Sequence, residues 1–163
     1  MVHELYAGPD VRDAVVARWG PDVAPGGVVD RAAVARHAFA APEERAWLEG
    51  LLWPLVGARV AAWRTEESAR QPPPRALVVE TPLFFEAGLE RLYDATLAIV
   101  ADEAVRTERA GARGHAAVSE RTARQLSQEQ KATRADHVVR NDGDLAALEQ
   151  ELAAVLEKLS PRP

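Results

Sequence analysis

One stretch of this 163-residue chain decides its fold: Ala76-Leu77-Val78-Val79-Glu80-Thr81-Pro82-Leu83-Phe84-Phe85-Glu86. Its first four residues form a continuous apolar run with β-branched members, which is typical of a parallel strand buried on both faces. The run ends at an acid, Glu80, and Pro82 follows two residues later, where the chain is expected to turn. We therefore predict a buried strand over 76–79 and a turn over 82–86.

Two more apolar runs predict further strands. Residues 95–101 repeat the pattern of the first run, and His137-Val138-Val139 predicts a short third strand. Helical sequence lies between these runs and after them, and Asp144 is placed to cap the last helix. The apolar positions of that helix recur every three or four residues: Leu145, Leu148, Leu152, Val155, Leu156 and Leu159. Because strands alternate with helices, we predict an α/β fold built on a parallel sheet.

The first third of the chain has the pattern of helices and none of strands. Pro9 suits a first helical turn, Asp30 suits a helix N-cap, and Pro42 suits the start of the next helix. Pro54 lies inside that helix and is expected to kink it.

Length and composition limit the class of protein. We predict one domain over 1–163, with a helical region at about 8–70, core strands within 75–163 and a lid at about 106–134. No apolar run is long enough to span a bilayer, and a net charge of −5 argues against general binding to nucleic acid. Cysteine is absent, which excludes disulfides and thiolate metal sites and suits a reducing cytoplasm. We expect neither a membrane nor a nucleic-acid partner, and the oligomeric state stays open.

Charge is concentrated in one segment, from Arg109 to Arg134. Six basic residues stand there against two acidic ones, Glu120 and Glu129, which gives the segment a net charge of +4 in an acidic chain. An isolated basic patch of this kind suits a small anionic ligand. A solvated helical surface is the alternative that the charges alone leave open.

Two arginines in this segment, Arg109 and Arg113, are the candidates for chemistry. Their spacing of four places them on one helical face, where two guanidinium groups can fork onto a polyphosphate. In phosphoryl transfer such arginines neutralise the charge that develops on the transferred group. An ordinary pair of surface arginines would have the same spacing.

Glu80 is the candidate metal ligand because it follows a predicted strand. Ligands of open α/β sheets sit beyond the carboxyl ends of strands, and an acid there can hold Mg²⁺ beside nucleotide phosphates. A loop carboxylate that caps the next helix is the alternative. The four histidines lack the spacing of helical metal sites, so we expect no zinc centre.

A phosphate-binding loop of the form Gly-x4-Gly-Lys-Ser/Thr does not occur in these 163 residues. Such a loop cradles phosphates with its backbone N–H groups, and its lysine reaches the terminal phosphate. The two lysines, Lys131 and Lys158, do not follow a glycine.

Taken together, the motifs resemble those of the dephospho-CoA kinases. That family carries a Pro-Leu-Leu-Phe-Glu turn after a buried strand, and the corresponding segment here is Pro82-Leu83-Phe84-Phe85-Glu86. It also carries an Arg-x3-Gln segment, a lysine and an Ala-Asp-x-Val-Ile-x-Asn-x-Gly run. Their counterparts are Arg121, Gln125, Lys131, Ala135-Asp136-His137-Val138-Val139 and Asn141-Asp142-Gly143. The resemblance covers residues 3 to 160 and departs from the family at Trp53, where the family has histidine before the proline.

The resemblance implies a reaction and a set of site residues. The reaction is phosphorylation of the ribose 3′-hydroxyl of dephospho-CoA by ATP, with Mg²⁺, on a three-layer P-loop kinase fold with a helical CoA-binding region and a lid. Arg109 and Arg113 would lie near the ATP phosphates, and Asn141, Asp142 and Gly143 near the adenine. The residues expected to contact dephospho-CoA are His3, Arg31, Phe39, Pro82, Leu83, Glu86 and Arg121. For Glu86 the residues alone also leave open, and favour, a cap on a neighbouring helix.

The family's first strand, phosphate-binding loop and second strand would precede His3, a unit on the order of 30–40 residues. We therefore expect a polypeptide of these 163 residues alone to be an N-terminally truncated kinase without appreciable turnover. A non-catalytic relative that binds CoA or a partner protein is one alternative. Another nucleotide or nucleoside kinase of the same fold is a second.

Overall fold

The computed structural model describes residues 2–112 and 125–159. It divides the chain into two compact units, Met1–Pro74 and Arg75–Pro163, each of which has its own set of elements. Among the described residues, no helix is both long and apolar enough to span a membrane.

The first unit consists of helices, as the sequence predicts. Helix α1 spans Val2–Ala7, α2 spans Pro9–Trp19, α3 spans Arg31–Ala40 and α4 spans Pro42–Ser68. Two short 3-10 turns, Pro21–Val23 and Pro25–Gly27, connect α2 to α3. Each of the predicted helix starts is confirmed, because Pro9 and Pro42 stand in the first turns of their helices.

The start of α3 is fixed by the predicted N-cap. Asp30 Oδ1 accepts hydrogen bonds from the backbone N–H groups of Ala32 at 2.8 Å and Ala33 at 3.3 Å. These N–H groups have no partner within the helix, so the aspartate satisfies them. Pro54 lies inside α4, which continues as one helix from Pro42 to Ser68.

Small apolar side chains form the core of the first unit. Val11 and Val15 of α2 pack with Val34 of α3 and Leu52 of α4, and all four are buried. Val23, in the turn after α2, is buried completely in the same cluster. The core therefore ties α2, α3 and α4 together.

A polar cluster joins the same three helices at the edge of this core. Glu44, at the start of α4, accepts from Arg18 Nη2 at 2.8 Å and from Trp19 Nε1 at 2.7 Å. The Arg18 guanidinium, and after it the Trp19 N–H, hold the pKa of Glu44 below its ordinary value. The Trp19 ring stacks on His37 of α3 at 5.5 Å and meets Trp47 of α4 edge-on at 5.0 Å. Trp19 thus contacts both neighbouring helices.

The second unit contains the sheet. Turns over 82–88 lead into a 3-10 turn, Glu90–Leu92, and then into strand β1, Leu97–Val100. Helix α5 spans Glu103–Ala112, α6 spans Gln128–Arg134, β2 spans His137–Arg140 and α7 spans Leu145–Leu159. The turn predicted over 82–86 is confirmed.

Strands β1 and β2 pair in parallel, which confirms an α/β arrangement. Leu97 lies opposite His137 and Val100 lies opposite Arg140, so the two carboxyl ends are level. Helix α6 packs beside β1 and α7 packs beside β2. Asp144 caps α7 as predicted, because its Oδ1 accepts from the Ala147 N–H at 2.9 Å.

The strand predicted over 76–79 is wrong. These residues form no ladder with any part of the described chain, and Val78 is 77% exposed. An apolar run becomes a strand only where a neighbouring strand accepts and donates its backbone hydrogen bonds. Glu80 consequently ends an irregular segment, not a strand.

The burial predicted for β1 on both faces is also wrong. Ala98 is buried, but Leu97 is 40% exposed and Ile99 is 50% exposed. Successive side chains of a strand point to opposite faces, so in this unit one face of β1 is covered and the other is not.

A reciprocal hydrogen-bond pair joins the starts of the two strands. The Thr96 hydroxyl donates to Asp136 Oδ2 at 2.7 Å and accepts from the Asp136 N–H at 2.9 Å. The Thr96 N–H also donates to Asp136 Oδ2 at 2.9 Å. These bonds from Thr96 hold the pKa of Asp136 below its ordinary value. Thr96, although polar, is buried.

Removal of the Thr96 hydroxyl is expected to destabilise the second unit. Thr96→Val keeps the shape of the side chain but leaves the Asp136 N–H without its acceptor, a loss of about 1–3 kcal/mol in the free energy of unfolding. Thr133→Val is the matched control. Thr133 is exposed, and within the described residues its hydroxyl donates to the Glu129 carbonyl of the same helix. Urea unfolding measures both variants, and equal stability of the two would contradict the expectation.

Candidate functional site

The carboxyl ends of β1 and β2 form the candidate site. Because the strands are parallel and in register, the residues that follow Val100 and Arg140 emerge side by side. The Asn141 N–H continues the ladder and donates to the Val100 carbonyl at 2.8 Å. In open α/β sheets ligands bind beyond this edge.

Arg109 of α5 reaches the loop that follows β2. Its Nη1 donates to the Asn141 carbonyl at 2.6 Å and its Nη2 donates to the Gly143 carbonyl at 2.8 Å. The structure therefore brings together three residues that are predicted from the sequence to lie near ATP. Two of the five N–H donors of the guanidinium are used on the backbone of the loop.

Asp142, which the resemblance also places near ATP, joins the two strand ends. Its Oδ1 accepts from the Asp102 N–H at 2.6 Å, which links the second residue after β1 to the loop after β2. Arg140 lies between the two acids, with its Nη1 at 3.4 Å from Asp142 Oδ2 and 3.8 Å from Asp102 Oδ1. The loop after β2 is thus held by Arg109 on one side and by the end of β1 on the other.

Gln128 holds the end of β1 in place and was not identified from the sequence. Its Nε2 donates to the Ala101 carbonyl at 2.9 Å, and its Oε1 accepts from the Ala101 N–H at 3.0 Å. The carboxamide pairs with the backbone as a neighbouring strand would. The one sequence signal is its register with Lys131 and Arg134, each three residues further along α6.

A cleft of about 280 Å³ opens beside these strand ends. Val100, Ala132 and Val138 supply apolar lining, and Asp102 and Arg140 supply charged groups. Its volume lies just below the roughly 300 Å³ at which small-molecule pockets begin, so this cleft suits one part of a ligand.

Glu86, in the turn over 82–88, is bonded within the protein. Its Oε1 accepts from the Leu126 N–H at 2.7 Å and lies 3.2 Å from Lys131 Nζ. Lys131 also donates to the Pro82 carbonyl at 3.1 Å. Burial raises the pKa of Glu86, but the N–H groups of Glu86 and Leu126 and the ammonium of Lys131 outweigh it, and the net pKa is lowered.

Acid is expected to weaken the contact between Glu86 and Lys131. Because the folded-state pKa of Glu86 lies below the ordinary 4.5, the carboxylate stabilises the fold above pH 4.5, and this contribution is lost as the pH falls through the lower folded value. Glu86→Gln has no charge to lose, so acidification should cost it less stability than it costs the parent. Urea unfolding from neutral pH to below 4.5 measures the difference, and parallel curves would speak against it.

The other candidate residues of the second unit are Glu80, Pro82, Leu83, Arg113 and Arg121. Glu80 is exposed, and within 2–112 and 125–159 no three His, Asp or Glu residues come together as a metal site. Pro82 is exposed and Leu83 is half-buried. Arg113 and Arg121 lie outside the described residues.

The substrate candidates of the first unit lie on α1 and α3. His3 falls within α1, Arg31 begins α3, and Phe39, near the end of α3, is 54% exposed. Burial raises the pKa of Tyr6 in α1, and the positive charge of Arg31 in α3 lowers it in part.

Comparison with known proteins gives a consistent family. A family model described as dephospho-CoA kinase matches residues 5–147. The dephospho-CoA kinase of Deinococcus radiodurans is 42% identical over 142 residues, which are 85% of this chain and 68% of the relative. That of Symbiobacterium thermophilum is 35% identical over 150 residues, which are 89% of this chain and 62% of the relative. The chain thus spans about two thirds of the length of these relatives.

A solved structure has the same fold over nearly the whole chain. The crystal structure of TT1252 from Thermus thermophilus superimposes with a TM-score of 0.72 at 31% identity, and covers 98% of this chain and 83% of that one. The family model alone accounts for well over half of the residues. The chain belongs to the dephospho-CoA kinase family.

Proposed function

We propose that the protein transfers a phosphoryl group from ATP to the ribose 3′-hydroxyl of dephospho-CoA, which gives CoA. The observation that carries the proposal is the family match over residues 5–147. The geometry supports it, because Arg109 and the loop 141–143 meet at the edge of the sheet where nucleotides bind in folds of this class.

In this proposal the second unit binds the nucleotide. The loop 141–143 holds the adenine end of ATP, and Arg109 keeps that loop in place while its remaining N–H donors serve phosphate oxygens. Arg113 adds charge on the same segment. Positive charge placed there favours the transition state, in which negative charge spreads over the transferred group.

The substrate candidates bind dephospho-CoA in this proposal. Arg31 can bond the diphosphate of dephospho-CoA through its guanidinium fork, and its positive charge also lowers the pKa of Tyr6. Phe39 offers an exposed ring to the apolar parts of the substrate. His3, Pro82, Leu83 and Arg121 complete the proposed set.

The finer architecture is also part of the proposal: a three-layer P-loop kinase fold with a helical CoA-binding region and a lid. Mg²⁺ accompanies ATP in such kinases, and Glu80 is the candidate ligand in this chain. One or two carboxylates together with phosphate oxygens are enough to hold Mg²⁺, so a cluster of protein ligands is not required.

Titration of the purified protein with different ligands tests the substrate class. Dephospho-CoA is expected to bind more tightly than adenosine or other nucleosides. Arg31→Gln is expected to weaken binding of dephospho-CoA about tenfold, because one charged hydrogen-bond partner of the diphosphate is lost. Arg36→Gln is the matched control, since Arg36 is exposed on the same helix.

The outcomes separate the alternatives. Preference for a nucleoside would indicate another kinase of the same fold. Tight binding of dephospho-CoA without turnover by the product of the intact gene would indicate a non-catalytic relative. Equal losses in Arg31→Gln and Arg36→Gln would remove Arg31 from the substrate site.

A further inference from the structure

Three side chains of α6, spaced three residues apart, fasten this helix to different parts of the second unit. Gln128 pairs with the backbone of Ala101 at the end of β1. Lys131 contacts Glu86 at 3.2 Å, and Arg134 pairs with Glu90 and lies over the Phe85 ring at 5.1 Å. Helix α6 therefore bridges the turns over 82–92 and the carboxyl end of β1.

Glu86 holds α6 on both sides of Gln128. Its Oε1 binds the N–H of Leu126, two residues before Gln128, and the ammonium of Lys131, three residues after it. The first turn of α6 is further fixed by a capping box between Ser127 and Gln130. The position of the Gln128 carboxamide thus depends on the two contacts of Glu86.

The Glu86 carboxylate is largely buried within the second unit. Only 15% of its side chain is exposed, and its Oε1 is shared by the Leu126 N–H and the Lys131 ammonium. Its Oε2 is buried and has no hydrogen-bond partner among the described residues. These contacts at the start of α6 favour the cap on a neighbouring helix over a direct contact with dephospho-CoA.

We propose that Glu86 is a positioning residue for the nucleotide site. Through Leu126 and Lys131 it sets Gln128, and through Gln128 it sets the end of β1, to which the loop 141–143 is bonded by way of Asp102 and Asp142. This inference rests on the proposed kinase reaction. It assigns Glu86 an effect on ATP and not on dephospho-CoA.

Steady-state kinetics of the product of the intact gene test the assignment. Glu86→Gln is expected to raise the KM for ATP about tenfold, with kcat and the KM for dephospho-CoA near the parent values. Glu90→Gln is the matched control, because Glu90 holds the far end of α6 through Arg134. It is expected to change the KM for ATP less than twofold, as an ion pair nearer the surface contributes little.

A double-mutant cycle distinguishes positioning from general destabilisation. Gln128→Ala is expected to reproduce the rise in the KM for ATP, and Glu86→Gln combined with Gln128→Ala should add little to either single change. Gln128→Ala places a strong helix former in α6, so it keeps the test open if Glu86→Gln does not fold.

The outcomes distinguish failure of the proposed kinase function from failure of the role proposed for Glu86. A folded parent without turnover contradicts the proposed function, and this inference with it. Turnover in the parent with an unchanged KM for ATP in Glu86→Gln overturns the inference alone. The inference is also overturned if the KM for dephospho-CoA rises instead. It is overturned as well if the rises in the KM for ATP caused by Glu86→Gln and Gln128→Ala multiply in the double variant, as independent effects would.

Discussion

Replacement of Arg109 by alanine is expected to weaken ATP binding by about 10- to 100-fold, the loss that corresponds to removing charged hydrogen bonds. Arg109 donates to the Asn141 and Gly143 carbonyls at 2.6 and 2.8 Å, so its removal frees the loop as well as deleting a positive charge. Calorimetric titration with ATP measures the effect. Arg109→Lys should lie between parent and alanine variant, because an ammonium cannot fork onto two carbonyls.

Arg106→Ala is the matched control for this prediction. Arg106 lies three residues earlier on α5, and its guanidinium pairs with Glu103 at 2.5 Å on the exposed side of the helix. Its removal lowers the local positive charge by the same amount without touching the loop after β2. Equal losses in the two alanine variants would mean that charge alone acts on ATP, and an unchanged affinity in Arg109→Ala would place the nucleotide elsewhere.

The second large effect is expected from Trp19→Ala, which should lower the free energy of unfolding by about 3 kcal/mol, the lower end of the range for core aromatics. Trp19 stacks on His37, meets Trp47 edge-on and packs against the apolar core of the first unit. Alanine removes these ring contacts from α3 and α4 together. Urea unfolding followed by circular dichroism measures the loss.

Two further variants define the origin of this loss. Trp19→Phe keeps an aromatic ring but lacks the N–H that donates to Glu44 at 2.7 Å, so a smaller loss is expected. Trp53→Ala removes the same side chain from α4, where it is 51% exposed, and should cost least. If Trp53→Ala were as harmful as Trp19→Ala, the cluster around Trp19 would not be what joins the three helices.

The parts of the fold that sequence predicted are those that depend on local chemistry. Asp30 and Asp144 were recognisable as caps because an aspartate bonds N–H groups only two or three residues away. Strands β1 and β2 carried clear apolar runs. The run 76–79 has the same apolar pattern but forms no strand. A strand also needs a neighbouring strand to pair with, and an apolar run does not show whether one is present.

Some residues of the site could likewise be predicted from the sequence and others could not. The spacing of the arginines indicated Arg109, the resemblance added the loop 141–143, and the structure brings them together. Gln128 was missed because its carboxamide pairs with the backbone of Ala101, 27 residues earlier, and such a contact leaves no local pattern. For Glu86 the sequence left a helix cap and a ligand contact open, and the structure shows its Oε1 bonded to the distant residues Leu126 and Lys131.

The most direct test of the account is to incubate the product of the intact gene with ATP and dephospho-CoA and to locate the new phosphate by mass spectrometry and NMR. The expected product is CoA, with the phosphate on the ribose 3′-hydroxyl, and Arg109→Ala is expected to form less of it at limiting ATP. A folded protein that forms no CoA, or one that phosphorylates nucleosides and leaves dephospho-CoA unchanged, would contradict it.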